Sequence, residues 1–387
     1  MRFEFGTAAR IILGPGVARE IGAYAESFGD NALLLTGRDP SRASVIIESL
    51  KSSGKSASLF KVSGEPTTDS IADATDHARA ASCSFVVAIG GGSVIDTGKA
   101  VAAILANDGE LLDYLEVVGK GKPLSKPSCP FIAIPTTGGT GAEVTHNAVM
   151  ESTAHKVKVS MRNPHMFARL ALVDPEMALS CPPDVTAYAG LDALAQLIEP
   201  FVSLKAMPLT DALCRDGFVR VARSLRRACQ HGDDLGARED MAIAALYSGM
   251  ALANAKLGAV HGFAGPLGGM FRGGHGALCA VLLAPVMAMN VRAMKEREPG
   301  NPALKKYREI SQIITGKPDA SAHEGAAYLR DLALTLKIPP LSVFGVKEND
   351  FPAVILKAKA SGSMQGNPVK LTDNELEEIL EESLNFH

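Results

Sequence analysis

Four side chains able to bind a metal lie far apart along the chain: Asp192 and Gln196, then His261, then His275. Asp192 and Gln196 are four residues apart in the helix-compatible run Leu191–Gln196, so both would leave one helix face. His261 follows Lys256–Val260, and His275 follows the glycine-rich segment Gly265–Gly274. A carboxylate, a carboxamide and two imidazoles make a donor set of borderline hardness, suited to iron(II) or zinc. A plainer account also fits, with Asp192 as a helix cap and each histidine as a separate polar group. Spacing alone does not choose between them.

A second cluster points to anion binding. Gly90-Gly91-Gly92-Ser93 directly follows an apolar run and opens a helix near Val94. Three glycines let the backbone approach a pyrophosphate, and the free N–H groups at the helix start then face the anion. The pattern matches neither the G-x-G-x-x-G nor the G-x-x-x-x-G-K-[ST] template, so a tight turn without a ligand is the competing reading. Pro135-Thr136-Thr137-Gly138-Gly139-Thr140-Gly141-Ala142-Glu143 also follows an apolar run and has the polar, glycine-rich character of a ligand crevice.

The elements that must position these groups differ between the two halves. Runs at Ala32–Thr36, Ser84–Ile89, Phe131–Ile134 and Leu170–Val173 predict buried strands. Helix-compatible segments lie between them at Ser41–Ser53, Thr68–Ala81 and Ile95–Ala106. Apolar strands without polar alternation, separated by helices, predict a parallel sheet covered on both faces. After Cys181-Pro182-Pro183 no β-rich run is evident. Ala/Leu/Met-rich segments predict helices over Tyr188–Val202, Leu209–Arg227, Arg238–Leu257, Gly276–Lys295, Ser321–Leu336 and Thr372–Asn385. The expected organisation is an α/β domain over 1–180 and an all-helical domain over 181–387.

Composition bounds the function classes. With 387 residues, 47% apolar and 21% charged, the chain reads as a two-domain globular protein. A formal charge of −3 carries no footprint for nucleic acid or an anionic membrane. The apolar stretches are broken before the ~20 residues a span needs, and the N-terminus lacks a secretory pattern. Six scattered cysteines with no C-x-x-C pair suit reduced thiols, so a cytoplasmic location is expected. The apolar surplus in the helices is compatible with a homodimer or larger homo-oligomer.

Gly90 through Lys99 resembles the cofactor signature of the iron-containing (group III) alcohol dehydrogenases. So do Pro135–Glu143, Val173-Asp174-Pro175-Glu176, Gly190–Leu194, the His261 and His275 segments and Gly366-Asn367-Pro368, in order over nearly the whole chain. The resemblance implies a dehydroquinate synthase-like architecture, with a parallel-sheet dinucleotide-binding domain, a helical metal-binding domain, and metal and substrate in the cleft between them. It implies metal-dependent, NAD- or NADP-linked hydride transfer between a small alcohol and its aldehyde or ketone. Gly91, Gly92 and Ser93 would hold the pyrophosphate, with Asp96 supporting that loop. Thr136, Thr137 and Thr140 would line the adenosine and diphosphate path, and Lys158 would lie near the nicotinamide ribose. Asp192, His261 and His275 would bind iron or zinc and serve the catalysis, with Gln196 as a further donor.

Two departures from the family pattern stand out. Gln196 replaces the usual histidine: either its carboxamide oxygen ligates or the site has three protein ligands plus water, and the change weakens iron binding and tilts the preference toward zinc without excluding iron. Gly265 replaces a histidine that many relatives carry as a proton relay. Gly37 and Arg38 follow the strand ending at Thr36, where relatives strict for NAD carry an acid; with Arg42 nearby, this permits NADP. Two alternatives share the architecture: a dehydroquinate synthase-like lyase using NAD and a metal, and a metal-free reductase like the maleylacetate reductases.

Overall fold

A computed structural model describes residues 2–37, 39–155, 157–271 and 273–386. The chain forms two compact units. One is Gly6–Ser180; the other runs from Cys181 to the C-terminus and takes in the first residues of the chain.

The first unit is built on a parallel sheet. Its strands are β1 (Ile11–Leu13), β2 (Asn31–Thr36), β3 (Ser56–Lys61), β4 (Phe85–Gly90), β5 (Phe131–Pro135) and β8 (Leu170–Val173), ordered β1-β8-β5-β4-β2-β3. A separate antiparallel hairpin, β6 (Asn147–Ser152) and β7 (Val157–Arg162), precedes β8. Every residue of β4 and β8 is buried, as are Ala32–Thr36 of β2, which is why these strands read as unbroken apolar runs. Helices α1 (Ile21–Tyr24), α2 (Ala43–Ser52), α3 (Thr68–Ala80), α4 (Gly92–Ala106) and α5 (Leu111–Tyr114) complete the unit. On one face Leu34, Val87, Ile132 and Leu172 pack with Ile46 and Leu50 of α2. The strands missed by pattern, β1, β3 and the hairpin, are short or half-exposed, so no apolar run marks them. In the sheet order the chain turns one way from β2 to β3 and the other way from β2 to β4. The gap beyond the carboxyl ends of β2 and β4 is thus the topological switch point, where open α/β sheets bind ligands.

The second unit contains no strand among the described residues. It comprises α6 (Pro183–Val202), α7 (Pro208–Gln230), α8 (Leu235–Asn254), α9 (Ala259–Met270), α10 (His275–Arg297), α11 (Ala303–Thr315), α12 (Ala322–Thr335), α13 (Phe351–Ala360) and α14 (Asp373–Leu384). Cys214, Phe218, Val221, Leu225 and Ala228 of α7, spaced three or four apart, form its buried stripe. Gly190 lets α7 approach α6: a β-carbon there would lie 2.2 Å from Leu225 Cδ1. The glycine-rich segment after His261 is helical, as α9, although Gly262, Gly265, Pro266, Gly268 and Gly269 would each weaken an isolated helix. Packing of Phe263, Ala264 and Leu267 into the core outweighs that propensity. Contrary to the sequence expectation, α10 is long and apolar enough to cross a membrane, because Gly276 and Pro285 do not interrupt it; 89% of its most apolar window is buried inside the protein.

Candidate active site

The helical unit gathers the metal-type donors. Asp192 and Gln196 leave one face of α6, His261 lies in the first turn of α9, and His275 begins α10. One donor atom from each of Asp192, His261, His275 and Cys279 lies within 4.8 Å of all the others. Asp192 Oδ1 is 3.3 Å from His261 Nε2 and 3.8 Å from His275 Nε2. Asp192, His261 and Cys279 are buried, whereas the His275 side chain is 41% exposed, so the cluster opens on its side.

What points His261 at Asp192 is Glu199, seven residues after Asp192 on α6. Glu199 Oε2 lies 2.6 Å from His261 Nδ1, and Oε1 accepts the Val260 N–H at 2.6 Å, at the start of α9. The carboxylate makes Nδ1 the donor and leaves Nε2 facing Asp192, the carboxylate–histidine arrangement that supports metal ligands. Asn367 fixes the same turn: its Oδ1 accepts from Ala259 N at 3.2 Å, and its amide exchanges bonds with Asn290. These contacts give Asn367 of the Gly366-Asn367-Pro368 motif a structural role.

A metal ion fits this donor set. Asp192 Oδ1 is buried and has no hydrogen-bond partner. Burial pushes the Asp192 carboxyl up, but His275 and His261 outweigh it and hold it down at about 2. Burial disfavours charge on His261, yet Cys279, Glu199 and Asp192 around the ring raise its pKa well above the usual imidazole value. The cluster therefore calls for positive charge between Asp192 and His261, which a proton or a divalent cation supplies.

Gln196, for which ligation through its oxygen and a three-ligand site plus water both stood open, makes two hydrogen-bond contacts. Its Nε2 donates to Asp192 Oδ2 at 2.9 Å, and its Oε1 lies 3.3 Å from Ser248 Oγ. A carboxylate only accepts, so the amide nitrogen must face Asp192 and the oxygen must point elsewhere. Glu199 and Cys279 were missed by the sequence reading. Their signals were present: Glu199 is two helical turns from Asp192, and Cys279 one turn from His275.

The α/β unit holds a separate cavity of about 220 Å³ at the switch point, lined by Thr36, Gly37, Asp39, Arg42, Ala43, Ile89, Gly90, Gly91 and Thr136. Gly37, Gly91 and Thr136 thus meet as expected, and Arg38 lies outside the described residues. Thr136 N donates to Gly90 O at 3.0 Å, joining the two loops. A β-carbon on Gly91 would lie 3.5 Å from Thr137 Oγ1, and one on Gly92 would lie 2.9 Å from Thr140 Cγ2. Gly92 and Ser93 form the first turn of α4, whose leading N–H groups have no helical partner. Asp96 accepts from Val149 N at 3.0 Å and pairs with Lys99 at 2.9 Å, so it ties the loop's helix to the hairpin. Lys158, on β7, pairs with Glu65 at 2.5 Å. Asp39, unnoticed in the sequence two residues beyond Gly37, places an acid on the cavity wall; the Ser41 N–H lowers its pKa. Arg42 donates to Ser180 Oγ through Nε (3.0 Å) and Nη2 (2.5 Å).

Comparison with known proteins identifies the family. The profile described as "Iron-containing alcohol dehydrogenase" matches residues 8–175, and that of the "Fe-containing alcohol dehydrogenase family, C-terminal" matches 186–384. A 1,3-propanediol dehydrogenase of Klebsiella pneumoniae is 33% identical over 386 residues, covering 96% of each chain. A solved 1,3-propanediol oxidoreductase superposes with a TM-score of 0.91 at 30% identity, covering 99% of this chain and 100% of that one. A sulfoacetaldehyde reductase from Bifidobacterium kashiwanohense, solved with NAD+, gives a TM-score of 0.87 at 28% identity, covering 100% and 99%. These matches set the lyase alternative aside: the chain belongs to the iron-containing alcohol dehydrogenase family and is a metal-dependent, NAD-linked oxidoreductase of alcohols and aldehydes.

Proposed function

We propose that residues 1–180 act as the dinucleotide-binding domain and 181–387 as the metal- and substrate-binding domain of an enzyme that interconverts a small alcohol and its carbonyl compound. The observation that carries this reading is the buried, unpartnered Asp192 Oδ1 facing two imidazole nitrogens. Asp192, His261 and His275 hold the cation. When bound, it acts as a Lewis acid on the substrate oxygen. NAD, held by the loop of Gly91, Gly92 and Ser93, would supply the hydride acceptor for oxidation of the alcohol to its carbonyl compound.

Glu199 keeps His261 in the ligating tautomer, and Gln196 holds the second oxygen of Asp192. Gly265, one turn beyond His261, has open space where a side chain would stand and supplies no proton relay, so the alcohol proton leaves through water or the cofactor ribose. In the other unit, Gly91, Gly92 and Ser93 receive the pyrophosphate at the start of α4, beside Thr136, Thr137 and Thr140. Asp39 favours NAD over NADP, because an ionised carboxylate on the cavity wall repels a 2′-phosphate, while Arg42 is engaged with Ser180. Six unpaired cysteines agree with a cytoplasmic location, and a homodimer is the assembly expected on sizing columns.

The test is Asp192→Ala. Metal content measured by elemental analysis and turnover of an alcohol panel both vanish, whereas NAD affinity is largely retained. Full turnover by a demonstrably metal-free variant would refute the reading. Running the panel with NAD and NADP tests the role given to Asp39.

A further inference from the structure

We infer that the fourth protein donor to the cation is Cys279 Sγ, not Gln196, and that the resulting Asp-His-His-Cys set selects zinc over iron(II). The inference rests on the metal-site reading above. Cys279 Sγ lies 3.7 Å from His261 Nε2 and 3.7 Å from His275 Nε2, within the same group of donors as Asp192 Oδ1. Tetrahedral zinc, with Zn–N and Zn–O near 2.0 Å and Zn–S near 2.3 Å, requires donor separations of about 3.3 Å for N/O pairs and about 3.5 Å for N–S pairs. Four of the six separations, 3.3, 3.8, 3.7 and 3.7 Å, come within half an ångström of that frame, and all six are at most 4.8 Å.

Gln196 is engaged elsewhere through both ends of its amide. Its nitrogen is committed to Asp192 Oδ2, which leaves its oxygen directed towards Ser248. The helix repeat accounts for the exchange. Gln196 is one turn beyond Asp192 on α6, and Cys279 is one turn beyond His275 on α10, so a donor lost from one helix is supplied by the other. A thiolate is softer than the imidazole it replaces, and sulfur with nitrogen in a tetrahedral arrangement suits zinc. Ligation replaces the S–H bond by a sulfur–metal bond and releases the proton to solvent. Four protein donors complete the tetrahedron, so substrate oxygen would enter as a fifth donor or by displacing one of them.

Cobalt(II) gives a readout independent of activity. Titrated into the metal-free protein, one equivalent should produce an intense near-ultraviolet sulfur-to-cobalt charge-transfer band. Cys279→Ala should lose that band and weaken cobalt binding by more than the about 10–100-fold that outer-shell partners cost, while Gln196→Ala keeps both band and stoichiometry. Zinc should displace iron(II) from the unaltered protein and do so less completely from Cys279→Ala. If one equivalent binds to the unaltered protein without the charge-transfer band, the inference is overturned and the three-residue metal site survives. If no stoichiometric metal binds, both fall. The decisive spectrum is that of the unaltered protein, so a misfolded variant would not rescue the idea.

Discussion

Replacing Glu199 by glutamine exchanges one carboxylate oxygen for an amide NH2 at nearly constant volume, and the surroundings allow that group only two placements. If the NH2 faces His261, Nδ1 must become the acceptor, the proton moves to Nε2, and the ring then presents a donor instead of a lone pair to the metal position. If it faces Val260, two N–H groups meet across the present 2.6 Å contact and one buried donor is left unpaired, costing about 1–3 kcal/mol. Neither placement preserves both bonds. Metal affinity should fall about 10–100-fold, equivalent to about 1.4–2.7 kcal/mol. A competition titration of zinc against a chromophoric chelator measures this directly, with NAD binding by fluorescence as the control. Unchanged zinc affinity in a folded Glu199→Gln protein would show that the orientation of His261 does not depend on this carboxylate.

Two further outcomes follow from the α/β unit. Burial raises the Glu143 carboxyl to about 7, with Lys99 opposing, so the folded state holds this proton more tightly than the unfolded chain does. Its contribution is complete below the usual value near 4.5 and is lost as pH rises through 7. Glu143→Gln should therefore unfold like the unaltered protein near pH 4.5 but be more stable at pH 8 by up to about 3 kcal/mol in urea titrations; equal stability at both pH values would contradict this. In Gly92→Ala, the new methyl would crowd Thr140 Cγ2 at 2.9 Å beside the pyrophosphate position, which should weaken NAD binding about tenfold or more. Adding Thr140→Ser removes the crowding methyl and should restore part of the loss; no recovery would argue that crowding is not the cause.

The sequence by itself determined the parts whose signal is local. β2, β4, β5 and β8 are apolar runs because a doubly covered parallel sheet admits nothing else, and the glycines after β4 mark the turn into α4. Asp192, His261 and His275 were legible through the motifs around them. Only the tertiary structure decided which atoms meet. Gln196 looked like a donor because helix spacing reports a shared face, but a side chain's hydrogen bonds, here to Asp192, decide where its oxygen points. Glu199 and Cys279 stand at helical spacing from recognised residues, yet that spacing is equally that of core packing. Their roles arise where α6, α9 and α10 converge, from contacts 62 residues apart for Glu199 and His261 and 18 apart for Cys279 and His261. For the same reason α9 hid in a glycine-rich segment: its helix is stabilised by what it packs against, and one-dimensional propensity does not contain that term.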